Sequence, residues 1–185
     1  MTLRFAAAED YTAMLEIYRP YVEQTTISFE YKTPSLQAFS ERFENLSGKF
    51  PAIVCDEGGE VVGYAYASPA FERKAYCWCA DLSVYVAKNC RGRGIGRALT
   101  NAVLDILREL GYRKVYSLIT GENTKSLAFH EKMGFEKVAE FEEQGYKMGR
   151  WLSVFWYEKQ LNGEDCAQSF PKEFCAEEYD LSRYE

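Results

Sequence analysis

From Arg91 to Arg97 the chain reads RGRGIGR, three glycines and three arginines in seven positions, and an apolar-periodic run follows at once. A glycine inside a helix costs about 1 kcal/mol relative to alanine, so this spacing marks a loop entering a helix, not a helix interior. Upstream, YCWCADLSVYVA (76–87) reads as a long strand. Downstream, Ile95, Leu99, Val103, Ile106 and Leu110 share one helical face, which Gly111 closes. At such a junction the first-turn N–H groups lack partners and the helix dipole favours an anion. Glycines let the backbone approach that anion, and arginines add charge. A phosphate-bearing ligand is the direct reading; a glycine loop that only makes a tight turn is the other.

The kind of phosphate site can be narrowed. A dinucleotide fingerprint, G-x-G-x-x-G, needs glycine where Arg97 stands, and the Walker G-K-S/T is absent. The net charge of −6 argues against a nucleic-acid polymer, which is met by a basic face on a basic domain. Arginines clustered on an acidic chain suit a small anion better. No apolar run approaches the roughly 20 residues of a bilayer span, and MTLRFAAAED has no signal-peptide core. Six cysteines without framework spacing and a single histidine, His130, make a disulfide scaffold and a zinc site poor readings. Reduced cytoplasmic thiols and no metal are expected, with Cys77 and Cys79 on one strand face as a redox candidate and the state of Cys166 and Cys175 left open.

Around the loop, TLRFA (2–6) reads as a strand, followed by a helix from Glu9 that bends or breaks near Pro20. A second helix follows Pro34 and carries Leu36, Phe39, Phe43 and Leu46. PAIVCD and VVGYAYASP flank the turn EGGE as a hairpin, KVYSLIT (114–120) is apolar enough to be a central strand, and residues 122–135 form a short helix. Two strands end the periodic part. Residues 163–185 have no clear period and read as an appendage to a domain spanning 1–162.

The hexapeptide Arg91, Gly92, Arg93, Gly94, Ile95, Gly96 fits Q/R-x-x-G-x-G/A and resembles the pyrophosphate loop of the GNAT superfamily of N-acetyltransferases. LSVYVA before it, and Asn123 and Ser126 before FHEKMGF after it, are similar to that superfamily's fourth strand and following helix. YVEQTTISF, RKAYCWCADLSVYV and GYKMGRWLSVFWYE resemble its phosphinothricin N-acetyltransferase branch, whose members acetylate the α-amino group of phosphinothricin, methionine sulfone and methionine sulfoximine. The resemblance implies an α/β GNAT fold: a mixed, mostly antiparallel twisted sheet of about seven strands flanked by about four helices. It also implies acetyl-CoA as co-substrate and direct transfer to a small-molecule amine.

The resemblance implies a site as well. Val84, Tyr85 and Val86, the loop 91–97 with Arg97, and Asn123 and Ser126 would hold acetyl-CoA. Asp81 stands where the branch carries a glutamate base. It is one methylene shorter, which favours a bridging water. His130 replaces the tyrosine that protonates the leaving thiolate. Phe29, Arg73 and Tyr76 match positions near the substrate, with Arg73 a partner for a carboxylate. Ser153 replaces the aspartate usual after W-x. The residues alone also allow plainer roles: Asn123 as a helix cap, Asp81 as a lysine partner, His130 as packing. Other readings are a non-catalytic acyl-CoA module, a protein N-acetyltransferase and an acetyl-cysteine route through Cys90. A homodimer through the strands of 145–158 is expected.

Overall fold

The computed structural model describes residues 1–184, the side chain of Gln168 aside. In chain order the elements are β1 (Thr2–Phe5), α1 (Tyr11–Gln24), α2 (Leu36–Leu46), β2 (Ala52–Glu57), β3 (Glu60–Pro69), β4 (Cys79–Val86), α3 (Ile95–Glu109), β5 (Lys114–Thr120), α4 (Thr124–Lys132), β6 (Glu136–Lys147) and β7 (Arg150–Gln160). The strands form one sheet in the order β1-β2-β3-β4-β5-β7-β6. Every neighbouring pair is antiparallel except β4 with β5. This is the mixed, mostly antiparallel seven-stranded architecture that the sequence resemblance implied.

Each face of the sheet has its own core, as strand alternation requires. On one face α1 and α2 place Met14, Tyr18, Phe39 and Phe43 against Val54 and Tyr64. On the other, α3 lays Ile95, Leu99, Val103 and Leu107 over Ala80, Leu82 and Val115. β4 supplies both faces, with Ala80 and Leu82 turned to α3 and the odd-numbered residues turned to α1.

Two expectations are corrected. The first helix runs unbroken through Pro20 to Gln24. Buried Ile17 and Tyr18 before the proline, and Tyr21 and Val22 after it, hold the helix on the sheet, and that packing outweighs the lost hydrogen bond. The fourth strand begins at Cys79, not at residue 76. Lys74–Tyr76 instead form a 3-10 turn that folds the Tyr76 ring onto Phe71, 4.8 Å between centroids. Cys77 therefore lies in the turn, off the strand face of Cys79, and all six cysteines are free.

The C-terminal segment is packed, not loose. Leu181 is buried in the α3-side core, Phe174 lies 5.4 Å from Phe5 of β1, and the Lys172 N–H donates to Leu110 O at 2.8 Å. The Tyr184 hydroxyl donates to Asp105 of α3 at 2.8 Å. Leu181→Ala should thus cost about 2–4 kcal/mol, read as a lower denaturant midpoint at unchanged slope. A tail that is mere decoration predicts no shift.

Candidate active site

β4 and β5 pair only where Cys79–Asp81 meet Lys114–Tyr116. Beyond that the strands part, leaving a wedge with Ser117 Oγ donating to Leu82 O at 3.2 Å near its closed end. Ala87 N–H donates to Val62 O, so by alternation Val84 and Val86 turn their backbone groups toward the gap. One of these is already engaged. Tyr21 reaches in from α1, and its hydroxyl donates to Val86 O at 2.7 Å and accepts from Val86 N–H at 3.1 Å. The Arg91 guanidinium lies 4.8 Å from the centre of the Tyr21 ring. Tyr21 therefore competes with any ligand that would bond Val86. In the sequence it looks like one more apolar-face residue of its helix.

At the mouth of the wedge the loop hands over to α3. Gly92 and Gly94 have φ of +79° and +88°, the left-handed region that side chains resist. Gly94 is the N-cap and offers no side chain to the first-turn N–H groups, which stay available for an anion. Gly96 joins three elements: a Cβ there would lie 3.8 Å from Val86 and 3.9 Å from Phe129 of α4. The arginines divide their work. Arg93 pairs with Glu57 at 2.8 Å, whereas Arg97 is exposed on the first turn of α3. Asn123 caps α4, its Oδ1 accepting from Ser126 N–H at 3.3 Å.

Asp81 sits at the closed end of the wedge, on the α1 side of the sheet. Its Oδ1 is shut off from solvent and has no hydrogen-bond partner among the described residues. Burial pushes the carboxyl up to about 7, opposed only by the Leu82 N–H. His130 lies on the opposite layer, packed by Phe135 at 5.1 Å and Tyr157 at 6.4 Å between ring centres. The structure does not bring the two together on one face. Burial holds the imidazole below its usual range. Its Nδ1–H donates to Ser126 O at 2.9 Å, which leaves Nε2 a buried lone pair without a partner among the described residues. In that tautomer His130 accepts a proton and has none to give at Nε2. Cys90 is buried as well, its Sγ–H turned to Asn89 at 3.5 Å, which makes it a poor nucleophile.

Further along the α1 side opens a cavity of about 520 Å³. Phe29, Tyr85, Leu118, Phe141, Val154 and Trp156 give it aromatic and aliphatic walls. Thr120, whose Oγ1 is buried and unpartnered among the described residues, and Gln144 are neutral polar groups on its lining. Of the expected substrate residues only Phe29 lines it. Tyr76 is at its rim, through Phe71, whose ring lies 5.9 Å from Trp156. Arg73 is exposed at the start of the 3-10 turn, off the lining. Sequence reading missed Leu118, Thr120, Phe141, Val154 and Trp156. Alternation along VFW put Val154 and Trp156 on one face, but which face met Phe29 was not a local matter.

A model of the acetyltransferase (GNAT) domain matches residues 3–156. The chain is 32% identical to a phosphinothricin N-acetyltransferase of Streptomyces viridochromogenes over 83% of its own length and 85% of the relative's. It is 31% identical to an L-methionine sulfoximine/L-methionine sulfone acetyltransferase of Salmonella typhimurium, over 88% and 95% of the two chains. A crystal structure of a phosphinothricin acetyltransferase from Sinorhizobium meliloti in complex with acetyl-CoA superposes with a TM-score of 0.85, at 34% identity, covering 100% of this chain and 98% of that one.

Proposed function

This chain belongs to the GNAT acetyltransferase family, and from that membership we propose that it transfers acetyl from acetyl-CoA directly to the α-amino group of small free amino acids, with Asp81 as general base. The observation that carries the reading is the desolvated Asp81 carboxyl, its Oδ1 unpartnered among the described residues, at the closed end of a wedge whose open end holds an uncapped, glycine-led helix N-terminus.

Acetyl-CoA supplies the activated acetyl thioester; the rest falls to this chain's residues. The α3 amides and Arg97 suit its phosphates, and Val84 offers backbone groups to its amide arm. An α-amine is largely protonated near neutral pH, so a carboxylate close to pH 7 in its affinity for protons is well matched to take the ammonium proton, directly or through water. His130 enters this reading only as a proton acceptor, since its Nδ1–H is committed to Ser126. The cavity's size and neutral aromatic walls favour an amino acid with a neutral polar or apolar side chain over a peptide. The substrates named for the relatives, methionine sulfone and phosphinothricin, are of this size.

Thiol release from acetyl-CoA across amino acids, methionine sulfone and sulfoximine, phosphinothricin, polyamines and lysine peptides tests the reading. Methionine sulfone should lead, and peptides leading it would defeat the assignment. Arg73, exposed and off the lining, is kept in the proposal as the carboxylate partner. Arg73→Ala should raise KM for amino acids about tenfold while leaving their decarboxylated amines unchanged. An equal effect on both classes would remove Arg73 from the site.

A homodimer and a cytoplasmic location go with this proposal. β6 is an edge strand with Val138, Phe141 and Tyr146 exposed, and beside it Trp151 is 60% exposed, a surface that calls for cover. Light scattering should give twice the chain mass of 21.3 kDa at micromolar concentration, and a monomer there would refute the dimer. Six free thiols suit a reducing compartment.

A further inference from the structure

We infer that Lys147 and Gly145, near the end of β6, are positioning residues for the acceptor: together they fix Phe29 as a wall of the 520 Å³ cavity. The inference rests on reading that cavity as the acceptor site.

Lys147 is buried, which lysines almost never are unless paired. Among the described residues it has no carboxylate within ion-pair distance. Its ammonium donates instead to two backbone carbonyls, Val22 O at 2.7 Å and Ser28 O at 2.5 Å. Val22 lies in the last turn of α1, where carbonyls lack helical partners and the dipole favours a cation. Ser28 immediately precedes Phe29. One side chain thus ties the end of β6 to the end of α1 and to the segment carrying Phe29. Ser28 is held from its other side too, its hydroxyl paired with Tyr18 at 2.6 Å and accepting from Glu30 N–H at 3.2 Å.

Gly145 fixes the ring itself. A Cβ at position 145 would lie 2.2 Å from Phe29 Cε2 and 2.9 Å from Cζ, closer than real atoms approach. Only a glycine at 145 leaves the ring room in this place against β6. The β6–β7 register shifts between Phe141 and Gly145, so Gly145 sits at the end of a bulge, a device that re-aims side chains beside sites. The backbone of Phe29 is therefore set through Lys147 and its ring through Gly145. Neither residue lines the cavity.

Such residues act on acceptor binding and leave the donor side alone. With the best amino-acid acceptor of the thiol-release panel, Lys147→Met and Gly145→Ala should each raise acceptor KM about tenfold, with kcat and the calorimetric Kd for acetyl-CoA little changed. Phe29→Ala should show the same signature. In the Phe29→Ala background neither second change should add to it, because the held group is gone. Effects that persist in that background, or that fall equally on acetyl-CoA, would overturn the inference. So would an unchanged acceptor KM in Lys147→Met. If Lys147→Met does not fold, Gly145→Ala and its Phe29→Ala double variant decide alone. An unchanged KM in Phe29→Ala itself would show that the cavity is not the acceptor site, and the inference falls with that reading.

Discussion

Asp81→Asn should lower kcat/KM for the amino-acid acceptor by about 10²–10⁴-fold at neutral pH while leaving the affinity for acetyl-CoA intact. The acid limb of the native pH–kcat/KM profile should lie near pH 7, where burial places the Asp81 carboxyl, and it should vanish in the variant. Stability should move the opposite way. The folded protein keeps a proton on Asp81 up to about pH 7, whereas the unfolded chain releases it near the ordinary 3.8. Native stability therefore falls as pH rises through that window and stays reduced above it. Asparagine carries no such charge, so the Tm of the variant relative to native should grow from pH 4 to pH 8. An enzyme that gains heat resistance while losing turnover cannot have lost turnover by unfolding. A rate loss under threefold, or a lower relative Tm at pH 8, would move the base elsewhere.

Gly94→Val should weaken acetyl-CoA binding at least a hundredfold by calorimetry, which corresponds to about 2.7 kcal/mol. The position combines a φ of +88° with the N-cap of α3, and a β-branched side chain is costly there. Relaxing that φ turns the first-turn N–H groups away from the anion they would bind. The fold should survive, because a Cβ at Gly94 meets nothing within 4 Å. Gly48→Val is the control: Gly48 has a φ of +70° and the same open surroundings, but lies in the turn after α2, outside the β4–β5 pair and the start of α3. It should strain the backbone comparably and leave acetyl-CoA affinity unchanged. Equal losses in both variants would mean strain alone, with no anion at α3.

What the sequence by itself determined was local. Glycines at 92 and 94 announce positive φ, and an apolar period beginning at Ile95 announces the helix that follows. Asn123 announces a cap. Each rests on backbone conformation or on hydrogen bonds within a few residues, so the loop and helix start proposed for the donor were legible as local structure before any fold was known. The resemblance of these segments to a known family carried the sheet and its strand count.

Tertiary structure decided what depends on residues far apart in the chain. Strand alternation placed Asp81 opposite Leu82, but only the surrounding layers removed water from its carboxyl and brought it to about 7. A proline that breaks isolated helices was overridden by burial on both sides. Tyr21 met Val86, Phe29 met Gly145, and Lys147 met Val22 and Ser28, across separations of 65 to 125 residues. Such contacts follow from how α1 and the β6–β7 hairpin pack beside the wedge, and no local propensity encodes them. His130 shows the same division: its helix was legible, whereas the layer it faces and the proton it holds were fixed by Phe135, Tyr157 and the Ser126 carbonyl.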